Sequence, residues 1–303
     1  MTLETDLLDA LRGIATHPAA RGLMDDAAVL GDLVLTHDMI VEGVHFLPND
    51  PPADVAWKLV AVNLSDLAAK GAVPIGVLTG TGLTDDPDWN AAFVRGLHEA
   101  LLHMNVPLLG GDTVAMPKGA PRSFGLTAIG RATGHVPSRA GGAVGDALYV
   151  AGVIGDAGLG LAIASGQMSG PAELVTAYRR PRPLIEMGCA LANQVSAMMD
   201  VSDGLLIDAL RLANASGVGV AIDLEAIPLS KAALRLGGDR AARLRAATAG
   251  DDYALLFTSA LPLRDLPGQP QRIGQLVAAP GLHLTDHAGH VPLPSQLGWL
   301  HQG

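Results

Sequence analysis

The sequence predicts an α/β or α+β fold, and three observations carry that expectation. Strand-like and helix-like patterns alternate along the whole chain. Hydrophobic residues make up 49% of 303 residues against 17% charged, enough apolar material for a substantial buried core. The stretch HVPSRAGGAVGD at 135–146 interrupts the periodic pattern with proline and glycines. That stretch is the best boundary between two domains, 1–136 and 137–303. Aromatic residues are only 3%, so Val, Leu, Ile and Ala must fill the core.

The elements follow in order. MTLETDLLDALRGI reads as an amphipathic helix with Leu3, Leu7, Leu8 and Leu11 on one side. Gly31-Asp32 is a hairpin signal between short apolar runs at 27–30 and 33–36. Val55, Leu59 and Val62 have helical spacing within 53–70, and Gly71 stops that helix. Strands are expected at 75–80 and 123–133, with a helix at 88–104 between them. The second half opens on a strand at 147–151. Helices are expected at 157–165, 171–179, 184–198 and 204–216, and strands at 218–223, 253–258 and 271–277. Ser65-Asp66 and Ser202-Asp203 form a small echo between the halves, each beside a helix.

Charge and cysteine content narrow the function. A formal net charge of -10 opposes non-specific nucleic-acid binding, which needs a basic face. The single cysteine, Cys189, allows no intrachain disulfide and no cysteine-based zinc site, and reads as a small core residue. The N-terminus carries acidic residues and lacks the pattern of a signal peptide. No apolar run reaches membrane-spanning length. A cytoplasmic protein is the expectation.

Five acidic places stand apart from surface charge: Asp25-Asp26, Asp38, Asp66, Asp112 and the pair Asp200/Asp203. Each has a plain structural alternative. Asp25-Asp26 suits a solvated loop, Asp112 a turn after Gly110-Gly111, and Asp203 a helix N-cap. Asp66 lies in the apolar helical stretch AVNLSDLAAKG, where a lone carboxylate is costly unless paired or metal-bound. Its alternative is an ion pair with Lys70, four residues on. Converging carboxylates without cations would repel by about 4 kcal/mol per close pair at an intermediate dielectric. Hard oxygen donors suit Mg²⁺, which takes one or two carboxylates plus water and substrate phosphates. A dispersed aspartate set therefore fits the bridging of a polyphosphate. The chain has no G-x-x-x-x-G-K-[ST] loop and no protein-kinase motif set.

The segments DDAAVL, LVLTHDMIVEGVHF, KLVAVNLSDLAAKGA, LLGGDT, SRAGGAVGD, DVSDGLLIDALRLANASG and AGDDYALLF occur in this order from residue 25 to residue 257. In this the chain resembles the thiamine-monophosphate kinases, within the superfamily of aminoimidazole ribonucleotide synthetase and selenophosphate synthetase. The resemblance implies that superfamily's two-domain fold. The first domain would pair its sheet with a second copy in a homodimer, and the second would close over the nucleotide. It implies transfer of a phosphoryl group from ATP to thiamine monophosphate, with several Mg²⁺ ions and K⁺ as a further candidate ion. No covalent nucleophile or essential base is expected, and no nucleic-acid or membrane partner.

By the same resemblance the metal aspartates fall on Asp26, Asp38, Asp66, Asp112, Asp200 and Asp203, with Thr36 and His37 beside them. Gly111, Asp112, Arg139 and Ser202 fall on nucleotide-contacting positions, and His45, Asp251 and Trp299 on substrate-binding ones. Taken alone, His45 also suits a packed or capping histidine, Arg139 a solvated surface cation, and Trp299 a pin for the C-terminus. Three residues depart from the family pattern. Met24 precedes the first aspartate pair in place of glycine. His37 replaces a hydroxyl residue. Asp251 is one methylene shorter than the usual glutamate. The rival readings are another ATP-using enzyme of the superfamily and a non-catalytic nucleotide- or thiamine-phosphate-binding protein. The first region lacks the reactive Cys or selenocysteine of selenophosphate synthetase.

Overall fold

In the computed structural model, residues 3–300 are described. The first helix, α1 (Leu3–Ile14), forms as expected, but its apolar side is not buried. Leu7 and Leu11 are exposed, Leu8 is half-buried, and the side chain of Leu3 lies outside the described residues. A 3-10 turn (Pro18–Leu23) leads to the hairpin β1 (Ala28–Leu30) and β2 (Leu33–Val41), which pair antiparallel across Gly31-Asp32. Then follow α2 (Pro52–Ala69), β3 (Ala72–Leu83), α3 (Pro87–His103), β4 (Leu108–Ala115) and β5 (Ser123–Ala132). Gly71 ends α2 with φ at 60°, and a Cβ there would stand 2.4 Å from the Ala192 Cβ. The five strands form one sheet in the order β1-β2-β5-β3-β4, with β3 and β4 parallel. Helices α2 and α3 cover one face. Their apolar residues, with Phe93, Phe124 and Leu126, make the first core.

The second half contains β6 (Ala147–Ala151), α4 (Asp156–Ala164), α5 (Ala172–Arg179), α6 (Ile185–Leu191), β7 (Ala197–Asp200), α7 (Leu205–Ala215) and β8 (Gly219–Asp223). It ends with α8 (Lys231–Leu236), α9 (Arg240–Thr248), β9 (Leu255–Ser259), β10 (Gln271–Val277), β11 (Leu282–Asp286) and β12 (Gly289–Val291). Its seven strands run in the order β12-β11-β8-β10-β6-β9-β7. The expected helix over 184–198 is shorter, and its last residues belong to β7. A run of apolar residues at both spacings fits either element, and pairing with β9 decides it. Cys189 sits on α6 half-buried, not in the core.

Helix α2 joins the two halves. Fifteen of its residues, Val55 through Ala69, are buried. Ala68 and Ala69 pack with Leu191, Met198, Leu255 and Phe257 of the second half. Tyr253 in turn enters the first core. No helix among the described residues is long and apolar enough to cross a membrane.

Candidate functional site

Strand alternation sorts the residues of β2. Thr36 is buried toward α2, whereas His37 is exposed and its Nδ1 lies 2.9 Å from Thr127 Oγ1 on β5. Three polar residues in the second half of α2 then enter the site. Asn63 accepts the Asp38 backbone N–H at 2.8 Å, its own amide held by a bond to the Leu59 carbonyl. Ser65 donates to Asp200 Oδ2 at 2.6 Å. Asp66 accepts a short hydrogen bond from the Thr36 hydroxyl. Asp26 enters from the turn before β1 and Asp200 from the end of β7. Asp26, Asp66 and Asp200 each present a carboxylate oxygen, all within 4.8 Å of one another.

Two cations hold the outer side of this cluster. Arg139, from the predicted boundary loop, pairs with Asp26 Oδ1, its Nε at 2.6 Å. Lys70 is fully buried and bonds Asp25 Oδ1 and, at 3.1 Å, the Met198 carbonyl. Its Nζ also lies 2.6 Å from Asp26 Oδ2, but without the geometry of a hydrogen bond. That buried oxygen therefore has a charge contact and a lone pair still to share. The alternative of an Asp66–Lys70 pair is overturned, because Lys70 turns to the first aspartate pair. Asp203 is no helix cap either. Its carboxylate pairs with Arg211, and Asp208 accepts the backbone N–H of Asp203 at 3.1 Å and of Gly204 at 3.2 Å.

The protonation states follow from burial and crowding. Burial, then Asp38, Asp200 and Asp26, push the Asp66 carboxyl well above the usual carboxylate range. Burial and Asp26 raise Asp200 to about 8, against the Ser65 hydrogen bond. Asp38 is raised by burial with Asp26 and Asp203, partly offset by His37. Burial also works to raise Asp25, but Lys70 and Arg21 outweigh it, and that carboxyl ends below its ordinary value. A bound cation would relieve the repulsion among acids buried and crowded in this way. Three clustered carboxylates with no soft donor beside them fit a hard divalent ion such as Mg²⁺.

These groups line a cavity of about 790 Å³ between the two halves. Asp26, Asp38, Asp66, Asp200 and Asp203 face it, as do Arg139, Ser202, His45, Asp251 and Trp299. Arg139 is the one arginine or lysine among the described lining residues. His45 accepts the Val41 N–H on Nδ1 at 3.0 Å, which leaves Nε2 to carry the proton. Trp299 is half exposed at the rim, and its backbone N–H donates to the Asp203 carbonyl at 2.8 Å. The lining thus holds most of the predicted residues. Thr36 stands behind it, touching Asp66. His37, Gly111 and Asp112 do not line it: His37 lies on the other face of its sheet, and the other two on exposed β4.

The family model for the AIR synthase related protein, N-terminal domain, matches residues 24–132, and that for the C-terminal domain matches residues 143–286. The thiamine-monophosphate kinase of Caulobacter vibrioides is 38% identical, over 94% of this chain and 86% of that protein. The chain belongs to the thiamine-monophosphate kinase family. Among solved structures, AaThiL complexed with AMPPCP and TMP is 28% identical with a TM-score of 0.84, covering 98% of this chain and 97% of that one. The enzyme from Stenotrophomonas maltophilia is 33% identical with a TM-score of 0.75, covering 92% and 94%.

In this family member several residues around the site are only weakly marked in the sequence, or marked with another partner, as Lys70 is. Lys58, Lys70, Arg211 and Asp208 reach the acidic groups from positions that periodicity assigns to helix packing. Lys58 is paired with Asp251, which lies 193 positions away. Only the oddity of a lysine inside an apolar helical run marks Lys58 and Lys70 out, since buried lysines are rare unless paired.

Proposed function

We infer that the chain transfers the γ-phosphoryl group of ATP to thiamine monophosphate, giving thiamine diphosphate and ADP. The observation that carries this is the acidic cavity, lined by aspartates drawn from both halves, in a member of the thiamine-monophosphate kinase family. Polyphosphates are anions, and a lining of carboxylates binds them only with cations between. Asp26, Asp66 and Asp200, with Asp38 and Asp203, would hold Mg²⁺, which when bound neutralises and orients phosphate oxygens. Arg139 supplies a fixed guanidinium for phosphate oxygens, and Ser202 a hydroxyl at the same wall. His45, Asp251 and Trp299 line the same cavity and would meet the thiamine moiety, Trp299 with a ring face at the rim.

The acceptor is a phosphate oxygen that already bears charge at neutral pH, so no side chain has to remove a proton. The protein's part is positioning and charge compensation, as phosphoryl transfer generally demands. Transfer is direct and in line, without a phosphorylated side chain. We further assign residues 1–136 and 137–303 as the two domains. Two copies would pair through β4, an edge strand with Leu108, Leu109 and Val114 exposed.

The assay is simple. Purified protein with ATP, Mg²⁺ and thiamine monophosphate should release thiamine diphosphate and ADP in equal amounts. Absence of product over a range of Mg²⁺ and K⁺ concentrations would overturn the kinase reading. Binding of both substrates without turnover would instead identify a non-catalytic binding protein.

A further inference from the structure

Lys58 is a buried cation near the site that the transfer reaction does not use and that does not touch the clustered aspartates. It belongs to α2, its side chain is 2% exposed, and it lines neither the 790 Å³ cavity nor the neighbouring one of about 400 Å³. Its ammonium donates to Asp251 Oδ2 at 2.7 Å and to the His45 carbonyl at 2.8 Å. It also lies 4.3 Å from the centre of the Tyr178 ring. One buried charge thus ties the loop after β2 to the loop before β9 and to α5.

The two residues it grips are two of the three assigned to thiamine monophosphate, Trp299 being the third. Asp251 borders both cavities. Its backbone sits at φ 69° and that of Tyr253 at φ 51°, conformations that non-glycine residues hold only when their surroundings impose them. Tyr253 donates its hydroxyl to Asp251 Oδ1 at 3.1 Å. The carboxylate is therefore fixed at both oxygens, from α2 on one side and from its own loop on the other. Behind Lys58 the support continues: Tyr178 donates to Asp50 at 3.0 Å, and Arg179 pairs with the same carboxylate at 2.7 Å. Taking an ammonium out of water is costly, and an apolar residue of similar length would pack there at less cost. A residue retained for packing alone would not need the charge.

We propose that Lys58 is a positioning residue for the acceptor substrate, setting from behind the wall the places of Asp251 and His45 against which thiamine monophosphate is held. The thiazolium cation and the amino group of the pyrimidine are both suited to a carboxylate whose orientation is fixed. Lys58 bonds neither Arg139 nor Ser202, the residues assigned to the nucleotide. Ser202 meets Asp251 through the backbone, its carbonyl accepting the Asp251 N–H at 2.8 Å, not through the carboxylate that Lys58 holds. The effect should therefore fall on one substrate only. This inference rests on the substrate assignment above.

The test compares the wild type, Lys58→Met and Lys58→Arg in steady-state kinetics with each substrate varied in turn. Lys58→Met keeps the stem but removes the charge. It should raise KM for thiamine monophosphate about 10-fold or more, the loss expected of a buried charge-assisted hydrogen bond, and leave KM for ATP within about twofold. Lys58→Arg keeps charge with a different reach and should raise the same KM alone, by a smaller factor. Adding Asp251→Asn to Lys58→Met should change KM for thiamine monophosphate little further, because both act through one group. Equal rises in both KM values, or an unchanged KM for thiamine monophosphate, would overturn the proposal and leave Lys58 a strut between the halves. If Lys58→Met does not fold, Lys58→Arg decides by the same two criteria. A wild type that makes no thiamine diphosphate would instead sink the kinase reading itself.

Discussion

At the scale of the residue, the buried aspartates crowd one another at the expense of the protein's own stability. Asp200 is raised to about 8 by burial and by Asp26, so with divalent ions chelated its folded form holds a proton that the unfolded chain releases near 3.8. Between those values the folded state binds more protons, and stability falls as pH rises toward about 8. Asp66 and Asp38 are shifted in the same direction. Asp25 is shifted in the other, and its contribution stays constant above the ordinary carboxylate range. Replacing Asp200 with Asn removes one of the mutually repelling acids while keeping an acceptor for Ser65. In EDTA, Asp200→Asn should melt roughly 2–4 °C higher than the wild type at pH 8, with a smaller difference at pH 6. Turnover should be lost. Parallel melting curves across that pH range, measured by calorimetry, would show that Asp200 carries no such strain.

At the scale of the element, the crossing of α6 over the end of α2 bears on the cluster, because α2 carries Asn63, Ser65 and Asp66, and Lys70 follows it directly. Gly188 on α6 packs directly on the α2 backbone, and a Cβ there would stand 1.9 Å from the Ala68 carbonyl oxygen. Gly188→Ala must push the helices apart and should cost about 1–3 kcal/mol. The readout is a lower urea midpoint at unchanged slope. Gly13→Ala on α1, where nothing lies within 4 Å, serves as the control and should be neutral or slightly stabilising. The sequence made most long elements legible, because α2, α3 and β5 have clear periods and clear stops. Some short ones, such as β6 and β8, were legible too, and others escaped it. Strand β7 continues the apolar run of α6, and α8 and α9 are six and nine residues long. The site was half legible for a related reason. The aspartates stand out against apolar neighbours, so their order along the chain could be read. Their partners could not, because Lys58 with Asp251 and Arg139 with Asp26 meet only after the two halves dock.

At the scale of the whole molecule, Asp112 is the one carboxylate of the assigned metal set that does not line the cavity of its own chain. The family resemblance assigns it to metal and nucleotide, yet it lies on β4, where all eight residues are exposed, and it does not line the cavity of its own chain. Strand β4 is also an apolar edge, and an uncovered edge of this kind favours pairing with another chain. Both facts are met together if a second copy covers β4 and each copy lends Asp112 to the other's cavity. In solution the protein should then sediment at twice the chain mass, and Leu109→Lys with Val114→Lys should release monomers without turnover. Mixing chains gives the sharper result. Asp112→Asn and Asp66→Asn should each be inactive alone. Refolded together in equal amounts, half the dimers are mixed, and each mixed dimer regains one of two sites, so activity returns to about a quarter of the wild-type value. If Asp112 serves its own cavity, every site in the mixture lacks one carboxylate and no activity returns.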